Sequence, residues 1–198
     1  MGNELDAKYW NSRYQENRLG WDIGYPSTPL KTYIDQLEDK SIKLLIPGGG
    51  NSYEAEYLFE NGFENTFVVD VAQTAKDNFV QRFSNFPKHQ FLVQDFFELE
   101  GQFDLILEQT FFCALDPSLR KAYIHKMHEL LKPNGKLVGV LFDFPLDGGP
   151  PFGGTKEEYT AYFQSFFHLA VLKRCYNSIP PRRGSELFLK AIKSESLI

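Results

Sequence analysis

The chain lacks the residues that announce several classes of protein. It has only two cysteines, Cys113 and Cys175, far apart and outside any CxxC pair, so both read as the reduced thiols of a cytoplasmic protein. There is no long basic run, and 21 basic against 26 acidic residues leave a net charge of −5. A broad basic face for nucleic acid is therefore disfavoured. No stretch reaches the roughly 18 apolar residues of a membrane span. The opening MGNELDAKYW has no basic segment followed by an apolar one, so no secretory signal is expected. Low-complexity tracts, internal repeats and domain boundaries are absent too, and 198 residues suit a single domain over 1–198. No Ser/His/Asp or Cys/His constellation is recognisable. His125 and His128 share a helical face but have no further ligand at metal spacing, so no metal site is expected.

What is abundant is phenylalanine, 19 residues against 2 tryptophans. A Phe-rich core explains most of this, and an aromatic-walled pocket could take part of the excess. Short apolar runs predict strands over Ile42–Ile46, Thr66–Asp70, Gln90–Val93, Phe103–Leu107, Lys136–Phe142, Leu169–Cys175 and Glu186–Ile192. Helical spacing and caps predict helices over Asp6–Tyr14, Ser52–Glu60, Ala72–Phe83, Pro117–Leu131 and Lys156–Phe167. A further helix starts with Thr28 as cap and Pro29 in its first turn, and Pro133-Asn134-Gly135 ends the Pro117–Leu131 helix. Strands alternating with helices imply a parallel α/β sheet covered on both faces. Only the turn Asn177–Ser185 separates the last two strands, too short for a parallel crossover, so that pair is expected to be antiparallel.

The segment KLLIPGGGNSYEAEYL, residues 43–58, runs from the first strand through three glycines into a helix. Glycines clustered between two regular elements mark a tight turn or a close approach of a ligand to the backbone. In a doubly wound sheet the ligand lies at the carboxyl ends of the strands, beside this turn. Asp70 ends the second strand, 20 residues after Gly50, where a carboxylate can bond both hydroxyls of a ribose. Two phosphate-binding patterns fail: GxGxxG would need a third glycine at Tyr53, and GxxxxGK[ST] finds no Lys-Ser/Thr pair. A close approach and a ribose acid without a phosphate grip suggest a nucleoside without phosphates, such as S-adenosylmethionine. Asp95-Phe96 follows the third strand at the same rim, where an acid and a ring can flank an adenine; a loop acid beside a core Phe is the other reading.

With these residues in view, the chain resembles the thiopurine S-methyltransferase superfamily of class I methyltransferases, and within it the halide/thiol (thiocyanate) branch. The resemblance rests on YWNSRY…LGWDIGYPSTPL, LLIPGGGNSYEAEYL, VVDVA, QDFF, FDLILEQTFFCALDP, ELLKPNGKL, GGPPF and IPPRRG, in this order along nearly the whole chain. It implies a Rossmann-like, seven-stranded, mostly parallel sheet with one antiparallel strand, helices on both faces, and an N-terminal helical lid over residues 1–38. It also implies S-adenosyl-L-methionine as cofactor. By position, Trp10, Tyr14 and Trp21 belong to the lid, Gly48 and Gly50 to the turn beside the methionine part, Asp70 to the ribose, Asp95 and Phe96 to the adenine, and Gln109 to a further cofactor contact. The chain departs from the family pattern in having Gln109 where relatives often carry Tyr or Arg, Gly49 where they commonly show Cys, and Tyr14 where the halide branch tends to have Trp.

GGPPF follows the fifth strand and not the fourth, which argues against amino methylation of nucleic acid and for a wall of an acceptor pocket. Arg182, or its neighbour Arg183, is the candidate to attract an anionic acceptor; a solvated turn is the alternative. The expected reaction is in-line methyl transfer to a small thiol, sulfide, thiocyanate or halide, which needs alignment and desolvation more than a strong base. A monomer is expected. An NAD-binding oxidoreductase and a non-catalytic S-adenosylmethionine-binding module are the rival readings.

Overall fold

Apolar strand sequences and amphipathic helices assemble into three layers. The computed structural model describes residues 5–194, so residues 1–4 of the expected lid lie outside the described residues. Seven strands form one sheet: β1 (Leu44–Pro47), β2 (Thr66–Asp70), β3 (Phe91–Val93), β4 (Phe103–Gln109), β5 (Leu131–Phe142), β6 (Phe167–Arg174) and β7 (Glu186–Lys193). Their order is β3-β2-β1-β4-β5-β7-β6. The first five run parallel, and β7 is antiparallel to both β5 and β6. This is the expected architecture, including the reversed strand near the end.

The pleat sends alternate side chains to opposite layers. In β1, Leu44 and Ile46 join a cluster with Leu30, Ile34, Ala55, Leu58 and Phe79, from α2 (Thr28–Ile34), α3 (Tyr53–Glu60) and α4 (Gln73–Arg82). Leu45 points the other way, to Tyr123, Met127, Tyr159 and Phe163 on α5 (Arg120–Leu130) and α6 (Lys156–Phe163). Phenylalanine supplies much of both layers. Phe79 packs on Phe86 and Phe91 with ring centroids 5.0 and 5.6 Å apart, and Phe112 lies 4.9 Å from Tyr123. The N-terminal helix α1 (Ala7–Gln15) docks on α4, with the Asn11 Oδ1 accepting from Thr74 N and Oγ1 at 2.9 and 2.8 Å.

Several boundaries differ from the sequence reading. Ser27, not Thr28, precedes the first turn of α2, because its own N–H is held by the buried Glu54 carboxylate at 2.8 Å. The Pro133-Asn134-Gly135 segment is an irregularity inside β5: Phe103 pairs with Leu131 but Leu105 with Lys136, and Asn134 takes φ +61°. β4 runs two residues further, to Gln109. α6 stops at Phe163, and Phe167 instead begins β6, opposite Lys193. No helix among the described residues is long and apolar enough to cross a membrane.

One buried cation staples the layer under the loop that follows β5. Arg120 is 1% exposed; it donates to Glu158 Oε1 at 2.8 Å and to the Gly153 carbonyl at 2.6 Å, over the face of Phe112. Arg120→Ala leaves a cavity and an unpartnered carbonyl, and is expected to lower stability by about 3 kcal/mol. Urea unfolding of the variant at neutral pH measures this, and a loss below about 1 kcal/mol would mean that the staple carries little stability.

Candidate active site

The carboxyl ends of five parallel strands meet around a cavity of 320 Å³, at the point where the chain leaves β1 for β2 on one side and β4 on the other. One wall carries Gly48, Asp70, Val71, Gln94 and Phe96, from the ends of β1, β2 and β3. The opposite wall carries Cys113, Leu115, Phe142, Pro150, Pro151 and Arg182. Trp10, Arg13, Tyr14, Gly20 and Trp21 cover the space between.

The glycine turn is shaped by two close approaches. Gly48 has φ +58°, and a Cβ there would lie 2.2 Å from Cδ2 of Phe111, the ring that closes the cavity from β4. Gly50 has φ +54°, which aims its N–H at Asp70 Oδ2, 2.8 Å away, while the Tyr14 hydroxyl occupies the space a side chain would need. Asp70 Oδ1 accepts from Ala72 N at 2.8 Å. The backbone thus fixes both carboxylate oxygens at the cavity edge, where they can accept from a vicinal diol. Burial pushes the Asp70 carboxyl up, and the backbone amides of Ala72, Gly50 and Val71 pull it back.

The cover is held by polar tethers. Arg182 Nη2 donates to the Trp21 carbonyl at 2.7 Å, and the side chains of Asn51 and Asp22 are hydrogen-bonded. Inside it, Trp21 meets Trp10 and Tyr14 edge to face, with centroids 5.4 and 5.9 Å apart. On the far wall, Phe152 N donates to the Cys113 carbonyl at 2.7 Å, tying the Pro150-Pro151 loop to the turn that follows β4. The Cys113 thiol donates to the Thr110 carbonyl at 3.1 Å; burial, then the Glu108 carboxylate, push it above the usual thiol range, which disfavours the thiolate. His125 and His128 pack on the ring of Phe166, away from the cavity.

The residues fit a nucleoside cofactor: a diol-sized pair of acceptors, an aromatic flank at Phe96, and a volume in the small-molecule range of roughly 300 to 1,000 Å³. The fold is similar to solved structures of class I methyltransferases. Burkholderia thailandensis 1,6-didemethyltoxoflavin-N1-methyltransferase, with bound S-adenosylhomocysteine, superposes with a TM-score of 0.77 over 96% of this chain and 87% of its own, at 19% identity. Magnesium protoporphyrin IX methyltransferase from Synechocystis, with bound S-adenosylmethionine, does so with a TM-score of 0.73 over 95% of each chain, at 13% identity. Sheet order and these superpositions define the fold of the class I methyltransferases. The chain belongs to the thiopurine S-methyltransferase family, which its residues 5–195 match. Arabidopsis thaliana probable thiol methyltransferase 2 is 31% identical over 193 residues, 93% of this chain and 84% of that protein. Brassica oleracea thiocyanate methyltransferase 1 is 30% identical over 190 residues, 89% and 81% of the two chains.

Of the residues singled out in the sequence, Trp10, Tyr14, Trp21, Gly48, Asp70, Phe96 and Arg182 line the cavity. Gly50 does not; it holds Asp70. Asp95 is exposed at the rim and caps the turn Phe96–Glu98 by accepting from Phe97 N at 2.8 Å, while its neighbour Gln94 lines the cavity. Gln109 does not line it either. It follows Leu105 and Leu107 onto the α2 face of the sheet, because side chains two apart share a face, and its amide is buried without a partner among the described residues. Arg183 is absent from the lining, so of the two candidates Arg182 alone reaches the cavity.

The sequence reading missed Arg13, Phe111, Phe142 and Glu108. Glu108 is fully buried on the layer opposite Gln109, and its Oε1 accepts from Phe111 N and Phe112 N at 2.8 and 2.9 Å. It therefore positions the turn that carries Phe111, in which Thr110 adopts φ +60°. A lone acid inside the apolar run FDLILEQ was the available signal. Burial pushes its carboxyl up to about 7, despite the two amides. Between about pH 4.5 and 7 the folded chain keeps a proton that the unfolded chain has released, so this group's contribution falls as pH rises through that window and levels off above it. Glu108→Gln should remove that dependence. Relative to the variant, the natural chain is expected to lose on the order of 3 kcal/mol between pH 4.5 and 7.5. Urea unfolding of both at several pH values is the check, and a pH-independent difference between them would exclude the buried proton.

Proposed function

We propose that this enzyme methylates a small, soft nucleophile, a thiol, sulfide, thiocyanate or halide, held between Phe142, Pro150, Pro151 and Arg182. The observation that carries this reading is the composition of that wall: apolar, aromatic and proline-rich, with one guanidinium. The relatives named for thiol and thiocyanate methylation support it. S-adenosylmethionine supplies an electrophilic methyl carbon on a sulfonium. Asp70 takes the ribose hydroxyls, and Gln94 and Phe96 border the adenine. Gly48 leaves room for the chain that carries the sulfur. Trp10, Tyr14 and Trp21 present aromatic rings, which attract a cation within about 6 Å by roughly 0.5 to 2 kcal/mol, and they exclude water.

Arg182 orients the acceptor without imposing a strong field. Its Nη1 stands 3.6 Å from the buried Glu186 carboxylate and its guanidinium lies over the Phe142 ring, so the pair is close to neutral. That suits an acceptor that is already anionic or nearly so and that must lose its hydration, since thiols titrate near about 8.5. The lid closes over both ligands in this reading. The enzyme acts as a cytoplasmic monomer on small molecules, with no nucleic acid or membrane partner, and its two buried, free cysteines accord with a reducing compartment.

Calorimetric titration with S-adenosylhomocysteine, with NAD in parallel, followed by turnover assays on iodide, thiocyanate, sulfide and an aromatic thiol, tests the reading. Binding of S-adenosylhomocysteine alone and methylation of at least one of these acceptors is expected; turnover of none would overturn the acceptor class. Asp70→Ala should weaken S-adenosylhomocysteine by roughly 10- to 100-fold, the range of a charged hydrogen-bonding group. Unchanged affinity would take Asp70 out of the site. Arg182→Ala should raise the KM for thiocyanate by about tenfold, the low end of that range because Glu186 already offsets the charge. An unchanged KM would remove its role toward the acceptor.

A further inference from the structure

Two guanidinium groups line the cavity, and they are not equivalent. Arg182 is satisfied by the Trp21 carbonyl and paired with Glu186. Arg13 is neither. It forms no ion pair with any carboxylate among the described residues, and its Nε is buried without a hydrogen-bond partner. Its guanidinium carbon lies 5.9 Å from the ring centroids of both Tyr9 and Trp21. Aromatic contacts hold a guanidinium while leaving its N–H edge available, and that edge matches a carboxylate in two parallel hydrogen bonds.

Its position on α1 says which carboxylate. Trp10, Arg13 and Tyr14 share one helical face, at spacings of three and four, and all three line the cavity. The Tyr14 hydroxyl sits beside Gly50, on the turn that bonds Asp70. With a ribose on Asp70 and an adenine toward Gln94 and Phe96, the rest of the cofactor passes Gly48 toward α1. It ends in an amino acid whose carboxylate is the cofactor's one full negative charge. The acceptor wall lies elsewhere, beside Arg182. An unpaired cation close to a sulfonium would oppose its binding, whereas one at the far end of the tail is matched by the carboxylate.

We propose that Arg13 binds the α-carboxylate of S-adenosylmethionine and S-adenosylhomocysteine, and that this bond fastens α1 over the cavity. The proposal rests on the cofactor site described above. It is tested by calorimetry on the full chain with two ligands: S-adenosylhomocysteine, and S-adenosyl-3-thiopropylamine, which keeps the ammonium and lacks only the carboxylate. The natural chain should bind the first roughly 10- to 100-fold more tightly. Arg13→Gln should lose that preference and bind the amine as the natural chain does, and Arg13→Lys should recover part of it. Equal affinity of the natural chain for both ligands overturns the proposal without any variant, and so does an equal weakening of both by Arg13→Gln. If the natural chain binds neither ligand, the cofactor site itself is wrong and the proposal falls with it. Retained binding of the amine alone leaves the site standing and refutes Arg13.

Discussion

One carboxylate organises the ligand edge of the sheet. Asp70 ends β2, and through Gly50 N on one oxygen and Ala72 N on the other it binds the turn after β1 to the start of α4. That tie requires the left-handed backbone at Gly50, and the absence of a side chain there gives the Tyr14 hydroxyl its place. The position of α1, and with it the aromatic cover, is thereby keyed to the same acid that offers acceptors to a diol. Asp70 is thus a fixed point shared by the ligand edge and the cover.

Charge in and behind the cavity is arranged with economy. Its walls are largely apolar, so each charge acts through a low dielectric and counts for more than it would in water. Glu108 is set back on the opposite layer and spends its hydrogen bonds on the Phe111 turn. Arg182 is offset by Glu186. What remains open to a ligand is Asp70 on one side and Arg13 on the cover. A zwitterionic, sulfonium-bearing cofactor is complementary to such a pattern, and the wall beside Arg182 is left nearly neutral.

The sheet was legible because its strands are short apolar runs bounded by turn residues; Thr66–Asp70 was read to the residue. The reversed last strand followed from loop length alone. The glycine turn and Asp70 were legible because backbone conformation and strand ends restrict residue choice. Legibility failed where one residue of phase decides the outcome. Gln94 and Asp95 are adjacent and both polar, yet the pleat and the turn after β3 turn one inward and expose the other. Glu108 and Gln109 diverge to opposite layers for the same reason. Arg13 lies on a helix of mixed polarity, where nothing in the sequence separates a solvated arginine from one facing a cavity. The Pro133-Asn134-Gly135 segment has the composition of a stop signal, but pairing of β5 with β4 on both sides of it carries the strand past.

The placement of β7 between β5 and β6 sets an order of assembly during synthesis. β6 is joined to the rest of the sheet only through β7, and β5 has no second neighbour until β7 arrives. A growing chain that has emerged as far as β6 therefore presents two unpaired strand edges, both hydrogen-bonding templates for other chains. One insertion of eight residues, Glu186–Lys193, closes both at once. This strand thus acts as the keystone of the sheet, and a chain halted just short of it is sticky although it already carries the whole glycine turn.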